Sequence, residues 1–406
     1  MTNTRPAPLN TGVPFLTKGT WVLIILAISG ISVLIARLFF GLSFVTNLDD
    51  QYPWGIWIAI DVATGVALAA GGFTTAFLAH VIHAHRYHAL VRPALLTAML
   101  GYTFVALGVC VDLGRYYNIW HVMLPSMWQG NSVLFEVGIC VMMYVTVLYI
   151  EFLPIVCERF CGRVNLPGMF AKLNRPIDNL LHFLQRIMHK FISFFILAGV
   201  VLSCAHQSSL GSLMVIAPGK VHQLWHSPVL PLMFLLSAFA SGLAMATFES
   251  LVAAKAFGLK PEIHILRRLG RFIPILLIIY FGAKLIDLVT RGALPLLLEN
   301  SVQSIMFWIE ITVGIIAPIL LLLSEKIRRN PATLLFAVSL VIFGIIINRI
   351  NVFIIAYKPL YADKVYVPAW TEVLLTVGFM SILILLYRTY VFIFPVLEME
   401  EQGSDV

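Results

Sequence analysis

Ten long apolar runs divide the chain, and each is separated from the next by a short polar or proline-containing segment. A helix needs about 20 predominantly apolar residues to cross a hydrocarbon core of about 30 Å. The runs have about this length and lie at residues 20–42, 54–81, 92–114, 131–156, 187–207, 229–254, 268–290, 302–324, 332–350 and 370–395. The pattern predicts an all-α integral membrane protein with ten transmembrane helices, named spans 1 to 10 in order.

Composition supports this prediction. The chain is 60% hydrophobic and 12% charged, whereas about a quarter of an ordinary soluble domain is charged. Most of its lysines and arginines fall in the segments on one side of the predicted spans. The positive-inside rule then places both termini in the cytoplasm. The net charge of +7 is therefore assigned to loops beside a lipid bilayer and not to nucleic-acid binding.

A short repeat suggests that the chain contains two similar halves. Asn131-Ser132-Val133 opens span 4 and Asn300-Ser301-Val302 opens span 8, and both spans are predicted to run inward from the outer surface. Spans 2–5 and spans 6–9 are therefore predicted to form two four-helix bundles, flanked by spans 1 and 10. The expected organisation is one polytopic domain comprising a tail with span 1 (1–53), a first bundle (54–228), a second bundle (229–369), and span 10 with a cytoplasmic tail (370–406).

Five ionisable side chains fall near one membrane surface in four neighbouring spans. They are Asp61 in span 2, Asp112 and Arg115 at the end of span 3, Glu136 in span 4 and His206 at the end of span 5. An ionisable residue costs about 2.5–3.5 kcal/mol at the centre of a membrane helix, so it usually faces a protein interior or a wet pathway. Their common depth predicts one polar pocket beneath the outer surface.

Each of these residues also has a purely structural interpretation. Asp61 could serve only to bond neighbouring helix ends, and the i,i+3 spacing of Asp112 and Arg115 favours an ion pair within one helix. Glu136 has no lysine or arginine one turn away, which favours a desolvated carboxyl that exchanges protons. His206 alone would be interpreted as a satisfied structural histidine, but the neighbouring ionisable groups favour a role with a ligand or a proton.

No metal, iron–sulfur cluster or haem is predicted in this chain. None of its five cysteines forms a CxxC motif, which argues against a cluster or a disulfide framework. A bis-histidine haem needs two imidazoles on facing helices at one depth, and His206 is the only histidine near the predicted pocket. The run of His83, His85 and His88 lacks the carboxylates and cysteines that would complete a metal site.

Several longer segments resemble the NrfD/polysulfide-reductase family of membrane subunits (PsrC-like). Within that family they resemble the HybB-type subunits of periplasm-facing nickel–iron uptake hydrogenases. The likeness runs from span 1 to span 10. The matching segments are 52–55 (YPWG) with Asp61, 90–96 (LVRPALL), 112–116 (DLGRY), 131–136 (NSVLFE), 206–209 (HQSS), 211–214 (GSLM) and 304–310 (SIMFWIE).

The resemblance implies a quinone-reactive helix bundle of a bacterial inner membrane, without a redox cofactor of its own. It also implies a quinone site in spans 2–5 near the outer surface. A periplasmic ferredoxin-like iron–sulfur subunit would pass electrons from the small and large subunits of a nickel–iron hydrogenase to menaquinone or another quinone of the membrane pool. His206 and Arg115 would hydrogen-bond the ring carbonyls. Glu136, relayed by Asp61 and Asp112, would supply protons. The further quinone-contacting residues would be Tyr116, Gln207, Asn131 and Ser132.

Four further polar residues lie in or at the inner ends of the spans. Glu151, Glu249, His80 and His189 are interpreted either as proton carriers between the pocket and the cytoplasm or as capping groups beside basic loops. If the protons come from the cytoplasm, turnover would translocate charge. If they come from outside, it would be electroneutral.

Alternative functions remain open at this point. Related subunits serve polysulfide or tetrathionate reductase and alternative complex III, so the resemblance does not fix the catalytic partner. A secondary transporter is the alternative from another class, because duplicated bundles with charges inside the membrane also occur there, although the two halves show no paired helix breaks. A purely structural anchor would leave the intramembrane carboxylates unexplained.

Overall fold

The computed structural model describes residues 12–81, 87–360, 362 and 364–397. In these residues, ten helices are long and apolar enough to cross a membrane, so the predicted all-α fold with ten spans is confirmed. The helices are α1 (Lys18–Phe40), α2 (Trp57–Ala79), α3 (His88–Asp112), α4 (Val133–Phe160), α5 (Gly168–Val215), α6 (Leu230–Phe257), α7 (Ile263–Thr290), α8 (Val302–Leu323), α9 (Pro331–Ile355) and α10 (Trp370–Ile393). The predicted C-terminal tail beyond residue 397, and His83 and His85 of the histidine run, lie outside the described residues.

Two faces of the molecule are defined by where the helices begin. The face at which α2, α4, α6, α8 and α10 begin is named the outer face, following the orientation predicted from the basic residues. The opposite face is named the inner face. Short 3₁₀ helices at Tyr116–Met123, Pro125–Met127 and Leu294–Leu298 lie in the connections at the outer face.

Helix α5 is much longer than the predicted span at 187–207. After a short 3₁₀ turn, its α-helical part runs from Asn174 to Val215. The inner part is amphipathic, so hydropathy alone does not mark it as helix. The outer part continues through the polar segment 207–212 because Gln207, Ser209 and Gly211 are buried against neighbouring helices.

Helix α2 departs from regular α-helical geometry. It begins with a π-helical turn at Trp57–Thr64 and its end runs into a second one at Phe77–Val81, with α-helical stretches at Gly65–Ala69 and Gly71–Ala76 between them. A π-turn changes the direction in which the following side chains point, and such turns occur frequently at functional sites. Asp61 lies inside the first of them.

The helices that contact one another include all the neighbours that two four-helix bundles would require. Neighbouring spans pack within each half, as do α2 with α5 and α6 with α9. The halves are also joined, because α2 packs on α6 and α9 while α5 packs on α6. Helix α1 packs along α10, where a Cβ at Gly30 would lie 2.6 Å from the Cα of Gly378. The division into two bundles, with its domain boundaries, therefore stays a prediction.

The repeated Asn-Ser-Val segments form the same local structure. Ser132 caps α4 by accepting a hydrogen bond from the backbone N–H of Phe135 at 3.3 Å, and Ser301 caps α8 by accepting from the N–H of Ser304 at 3.2 Å. The glutamates that follow are not equivalent: Glu136 lies in the first turn of α4, whereas Glu310 lies more than one turn deeper in α8.

Candidate functional site

Asp61 and Asp112 lie on the side of α2 and α3 that faces α1 and α10. The Oδ2 atom of buried Asp61 accepts a hydrogen bond from Thr376 of α10 at 2.8 Å. Asp112 interacts electrostatically with Asp61 and with Arg37 of α1, and its Oδ1 atom is buried without a hydrogen-bond partner. These four residues are named the Asp61 cluster.

Arg37 is the cation that neighbours Asp112. Its Nε donates to the backbone oxygen of Val111 at 2.7 Å, and its guanidinium lies over the ring of Tyr116, 4.9 Å from the centroid. Arg115 is exposed, and it forms no ion pair with Asp112 in the described part of the chain. The spacing argument for a pair within α3 was therefore wrong, because a buried arginine on another helix takes that position.

Beside the Asp61 cluster, Glu372 fixes the start of α10. Its carboxylate accepts from the backbone N–H groups of Asn47 at 2.8 Å and Ala369 at 3.1 Å and from the Tyr366 hydroxyl. Burial and the adjacent Glu372 carboxylate raise the pKa of the Tyr366 phenol, so this phenol stays protonated and continues to donate. We interpret Glu372 as a structural group, because both of its oxygens have partners.

His206 lies in a second group, inside α2–α5. Its imidazole is completely buried, with Nδ1 at 3.5 Å from the hydroxyl of Tyr102 and Nε2 without a partner. The ring of Tyr102 packs edge-on against Tyr144, with centroids 4.5 Å apart. Gln207 donates to the backbone oxygen of Val66 at 2.8 Å, and its Oε1 is unpartnered. His206, Tyr102, Tyr144 and Gln207 are named the His206 cluster.

Glu136 and the remaining predicted residues lie at the outer edge of this second group. Glu136 accepts a hydrogen bond from Ser209, one turn beyond His206, but it is exposed. Glu136 therefore lies at the surface of the chain and not in an interior pocket, and its desolvation stays a prediction. Asn131 is exposed and Ser132 serves as a helix cap.

The predicted residues therefore do not share one cavity. The packed helices α2 and α3 separate the Asp61 cluster from the His206 cluster: Asp61 bonds to α10, whereas Gln207 bonds to the opposite side of α2. Tyr116 packs on Arg37, near the Asp61 cluster, and Arg115 lies with neither cluster. Hydropathy indicated the depth of these groups but not the direction in which each faces.

One cavity of about 90 Å³ lies directly beneath Asp61. Its walls are mainly apolar, with rings from Phe104 and Phe379, and Asp61 and Thr97 supply the polar side chains. The lining residues are Asp61, Gly65, Leu68, Ala69, Thr97, Gly101, Phe104, Met245, Phe379, Met380 and Leu383. We name it the Asp61 cavity.

The second half contains a buried polar network that the sequence analysis did not find. Lys284 of α7 forms an ion pair with Glu310 of α8. Glu310 also accepts from the indole N–H of Trp225 at 2.9 Å and from the amides of Asn348 and Asn351, each at 2.8 Å. A charge inside an apolar run signals a partner, but the identity of that partner requires the packing of α7, α8 and α9. Because the carboxylate is fully bonded, we interpret this network as structural.

These features define a multi-pass helical membrane protein whose outer half holds buried titratable groups and an amphipathic cavity. The family model described as "Polysulphide reductase, NrfD" matches residues 44–360. The chain belongs to the NrfD family, and as such it is a membrane subunit of a redox complex.

Three relatives illustrate the range of the family. The chain is 34% identical to the "Probable Ni/Fe-hydrogenase 2 b-type cytochrome subunit" of Escherichia coli K12, over 98% of this chain and 97% of the relative. It is 26% identical to the "Menaquinone reductase, integral membrane subunit" of Nitratidesulfovibrio vulgaris, over 86% and 85%. It is 27% identical to a selenate reductase subunit of Mesobacillus selenatarsenatis, over 94% of each.

The first of these names corrects the sequence analysis on one point. The prediction of a chain without haem is contradicted by a relative named as a b-type cytochrome subunit. Such a group could be held by His206, whose imidazole Nε2 is buried and has no hydrogen-bond partner in the described residues. His189, on the same helix, lies about 25 Å away by helix rise, and His88 begins α3 about 21 Å before Tyr102, the neighbour of His206. Among the histidines whose side chains the structure describes, His206 is the one that is fully buried with a nitrogen free of partners.

Proposed function

We propose that this chain is the quinone-reactive membrane subunit of a hydrogen-oxidising respiratory complex. Two relatives support the proposal by name, one as a Ni/Fe-hydrogenase subunit and one as a menaquinone reductase subunit. A nickel–iron hydrogenase on the outer side would split H₂ into two protons and two electrons. An iron–sulfur subunit would pass the electrons to this chain's site, where a quinone takes up two electrons and two protons to become a quinol.

The Asp61 cavity is the proposed position of the quinone ring. The observation that carries this proposal is a buried carboxyl at the outer end of an apolar cavity with aromatic walls. A quinone combines an apolar ring and tail with two carbonyl acceptors, so it needs apolar contacts and a small number of well-placed polar groups. Met245 and Met380 line the cavity, and their unbranched side chains can turn aside to admit a ring larger than the present space.

Asp61 would act as the proton donor to a ring carbonyl. Thr376 orients its carboxyl through the hydrogen bond at 2.8 Å. Asp112 and Arg37 are the next groups toward the outer face, where Arg37 stabilises negative charge near the cluster. A positioned acid of this kind contributes about 10²–10⁴-fold to a proton-transfer step.

The His206 cluster is the second proposed position for the ring. It is favoured by two buried polar atoms without partners, His206 Nε2 and Gln207 Oε1, which a ligand or water could satisfy. His206 Nε2 can donate to a ring carbonyl in the tautomer that carries its proton there. In this arrangement His206 would bind a ring carbonyl and Glu136 would exchange protons through Ser209. The other residues predicted for this site, namely Arg115, Tyr116, Asn131 and Ser132, would have to approach the ring from the outer edge.

An exposed aromatic surface at the outer face is the proposed contact for the iron–sulfur subunit. The 3₁₀ segment after α3 exposes Tyr117, Trp120 and Met123, and Trp128 follows it. Interfaces between proteins are enriched in aromatic and methionine side chains of this kind. Tyr116 at the start of this segment packs on Arg37 of the Asp61 cluster, and Trp128 contacts Phe135, which precedes Glu136. An electron carrier docked there would therefore approach the outer ends of both proposed ring positions.

The test is hydrogen-dependent quinone reduction by the intact complex in membranes. For Asp61→Asn we expect reduction of a naphthoquinone to fall about 10²-fold or more, while hydrogen-dependent reduction of a soluble dye persists. Glu158→Gln, an equivalent charge removal at the inner face, is the control and should behave as wild type. Unchanged quinone reduction in Asp61→Asn combined with its loss in His206→Gln would move the ring to the His206 cluster.

The electron donor is tested in the same preparation. Quinone reduction that requires a sulfur or selenium substrate in place of hydrogen would assign the chain to another complex of the family. Uptake of a solute by the purified chain, with no dependence on an iron–sulfur partner, would favour the transporter alternative.

A further inference from the structure

Glu249 is a buried carboxyl that the proposed reaction does not yet use. It lies on α6 in the inner half of the molecule, eight residues before the end of the helix, and is 8% exposed. Its carboxyl faces the hydroxyls of Thr97 on α3 and Tyr387 on α10. Both Glu249 Oε1 and the Tyr387 hydroxyl are buried without a hydrogen-bond partner. A buried oxygen of this kind is explained by a bound water molecule or ion, by strain, or by a role in proton transfer.

Glu249 lies between two cavities. Thr97, one of its neighbours, lines the Asp61 cavity. Tyr387, the other neighbour, lines a cavity of about 60 Å³ toward the inner face, together with Ser250, Lys260 and Glu262. Each cavity has room for several water molecules at about 10–15 Å³ each. The Glu249 carboxyl and the hydroxyls of Thr97 and Tyr387 therefore lie between the cavity toward the inner face and the Asp61 cavity.

Helix α10 joins these features along one of its faces. Thr376 bonds Asp61, Phe379 and Leu383 line the Asp61 cavity, and Tyr387 reaches Glu249 and the inner cavity. Residues three or four apart lie on one face of a helix. The eleven residues from Thr376 to Tyr387 cover about 16 Å of membrane depth, which is about half of the hydrocarbon core.

We propose that the protons consumed at the quinone reach Asp61 from the inner face along this side of α10, with Glu249 as the relay. Glu249 takes a proton from water in the inner cavity beside Tyr387. While the Asp61 cavity is free of the ring, Glu249 releases that proton past Thr97 to water in the cavity, which carries it to Asp61. Asp61 then passes the proton to the ring that binds. Lys260 and Glu262 are the charged groups at the inner cavity, and Asp112 and Arg37 are those beyond Asp61.

This inference rests on the proposed function and adds the source of the protons. Hydrogen oxidation releases two protons on the outer side, and the two electrons go to the quinone. If the two protons of the quinol come from the inner side, each turnover moves two charges across the membrane. With protons taken from the outer side, the same reaction would move none.

The test uses the whole complex in anaerobic, right-side-out membrane vesicles that contain a trapped pH indicator. A pulse of H₂ should make the wild-type lumen alkaline as the quinone is reduced. In Glu249→Gln we expect quinone reduction and luminal alkalinisation to fall together by about tenfold or more, while hydrogen-dependent dye reduction is retained. Glu249→Asp should restore part of both signals. Glu325→Gln, an exposed carboxylate change at the inner face, should leave both unchanged.

The possible results separate this inference from the proposed function. Wild-type vesicles that reduce dye but no quinone would contradict the proposed function itself. Two results would overturn the proton route and leave the proposed function intact. One is normal quinone reduction in wild-type vesicles without luminal alkalinisation. The other is normal quinone reduction with full alkalinisation in Glu249→Gln. Full loss in Glu151→Gln with no change in Glu249→Gln would place the route inside α2–α5 instead. If Glu249→Gln fails to assemble, Tyr387→Phe must slow both signals several-fold for the route to stand.

Discussion

The buried ion pair between Lys284 and Glu310 provides a direct test of how the second half is held together. Lys284→Met removes the cation and leaves the Glu310 carboxylate in the interior, 1% exposed. Removing one partner of a buried pair costs about 3–5 kcal/mol. Glu310 keeps three other donors, from Trp225, Asn348 and Asn351, so we expect a loss near the lower end of that range.

The double variant Lys284→Met with Glu310→Gln tests the reasoning behind this magnitude. The amide removes the uncompensated charge and keeps an oxygen that can accept from Trp225, so most of the lost stability should return. Equilibrium unfolding in mixed detergent micelles, followed by tryptophan fluorescence, measures both variants against wild type. A cost below about 1 kcal/mol for the single change, or a double variant less stable than the single, would refute the interpretation of this pair as structural.

Three further predictions concern local structure. Gly344→Val should lower the free energy of unfolding by about 1–3 kcal/mol, measured in the same micelles, because its backbone contacts Gly314 where α8 and α9 cross. Ser301→Ala should cost about 1 kcal/mol in the same measurement, through loss of the cap to the N–H of Ser304, whereas an unchanged value would show that water replaces the cap. Burial, followed by nearby Lys358, lowers the pKa of the His222 imidazole, against the opposing effect of Glu299. The unfolded chain then binds a proton at His222 more readily than the folded chain does. The stability that neutral His222 gives this outer loop is therefore present above about pH 6.5 and is lost as the pH falls below it. Amide hydrogen exchange across 220–226 should therefore accelerate between pH 7.5 and 5.5 in wild type and should change less in His222→Asn.

The ten spans could be predicted from sequence because the membrane imposes a minimum length of apolar helix. Depth along each span followed from the same count, and it placed Asp61 and His206 in the outer half, where the structure has them. The direction in which each side chain faces did not follow. Each residue turns a helix by about 100°, and the rotation of a span around its own axis is set by neighbours that are distant in the sequence. Thr376, which bonds Asp61, is such a neighbour.

The buried arginine and lysine show the same limit. Arg37 and Lys284 are visible in the sequence as charges inside apolar runs, which marks each as a residue with a partner. The partner of Lys284 is Glu310, and Arg37 bonds backbone oxygens at the end of α3. Neither partner lies at a helical spacing from its cation, so no local pattern reveals it. The π-helical turn of α2 that contains Asp61 has no local sequence pattern that predicted it either.

The prediction of a chain without haem failed for a different reason. It rested on the need for two imidazoles at one depth, and the described residues do present only His206 in that setting. The name of the E. coli relative contradicts the conclusion. The depth of each histidine along its span is therefore an insufficient criterion for the presence of haem in this family.

The most direct test of the account is to locate a quinone on this chain by photolabelling. A naphthoquinone that carries a photoreactive azide is bound to the intact complex, irradiated, and mapped by mass spectrometry of the peptides. We predict labels on α3 within 97–104 and on α10 within 379–383, which an excess of menaquinone removes and Asp61→Asn weakens. Labels absent from both segments, or unaffected by excess menaquinone, would contradict a quinone site beneath Asp61.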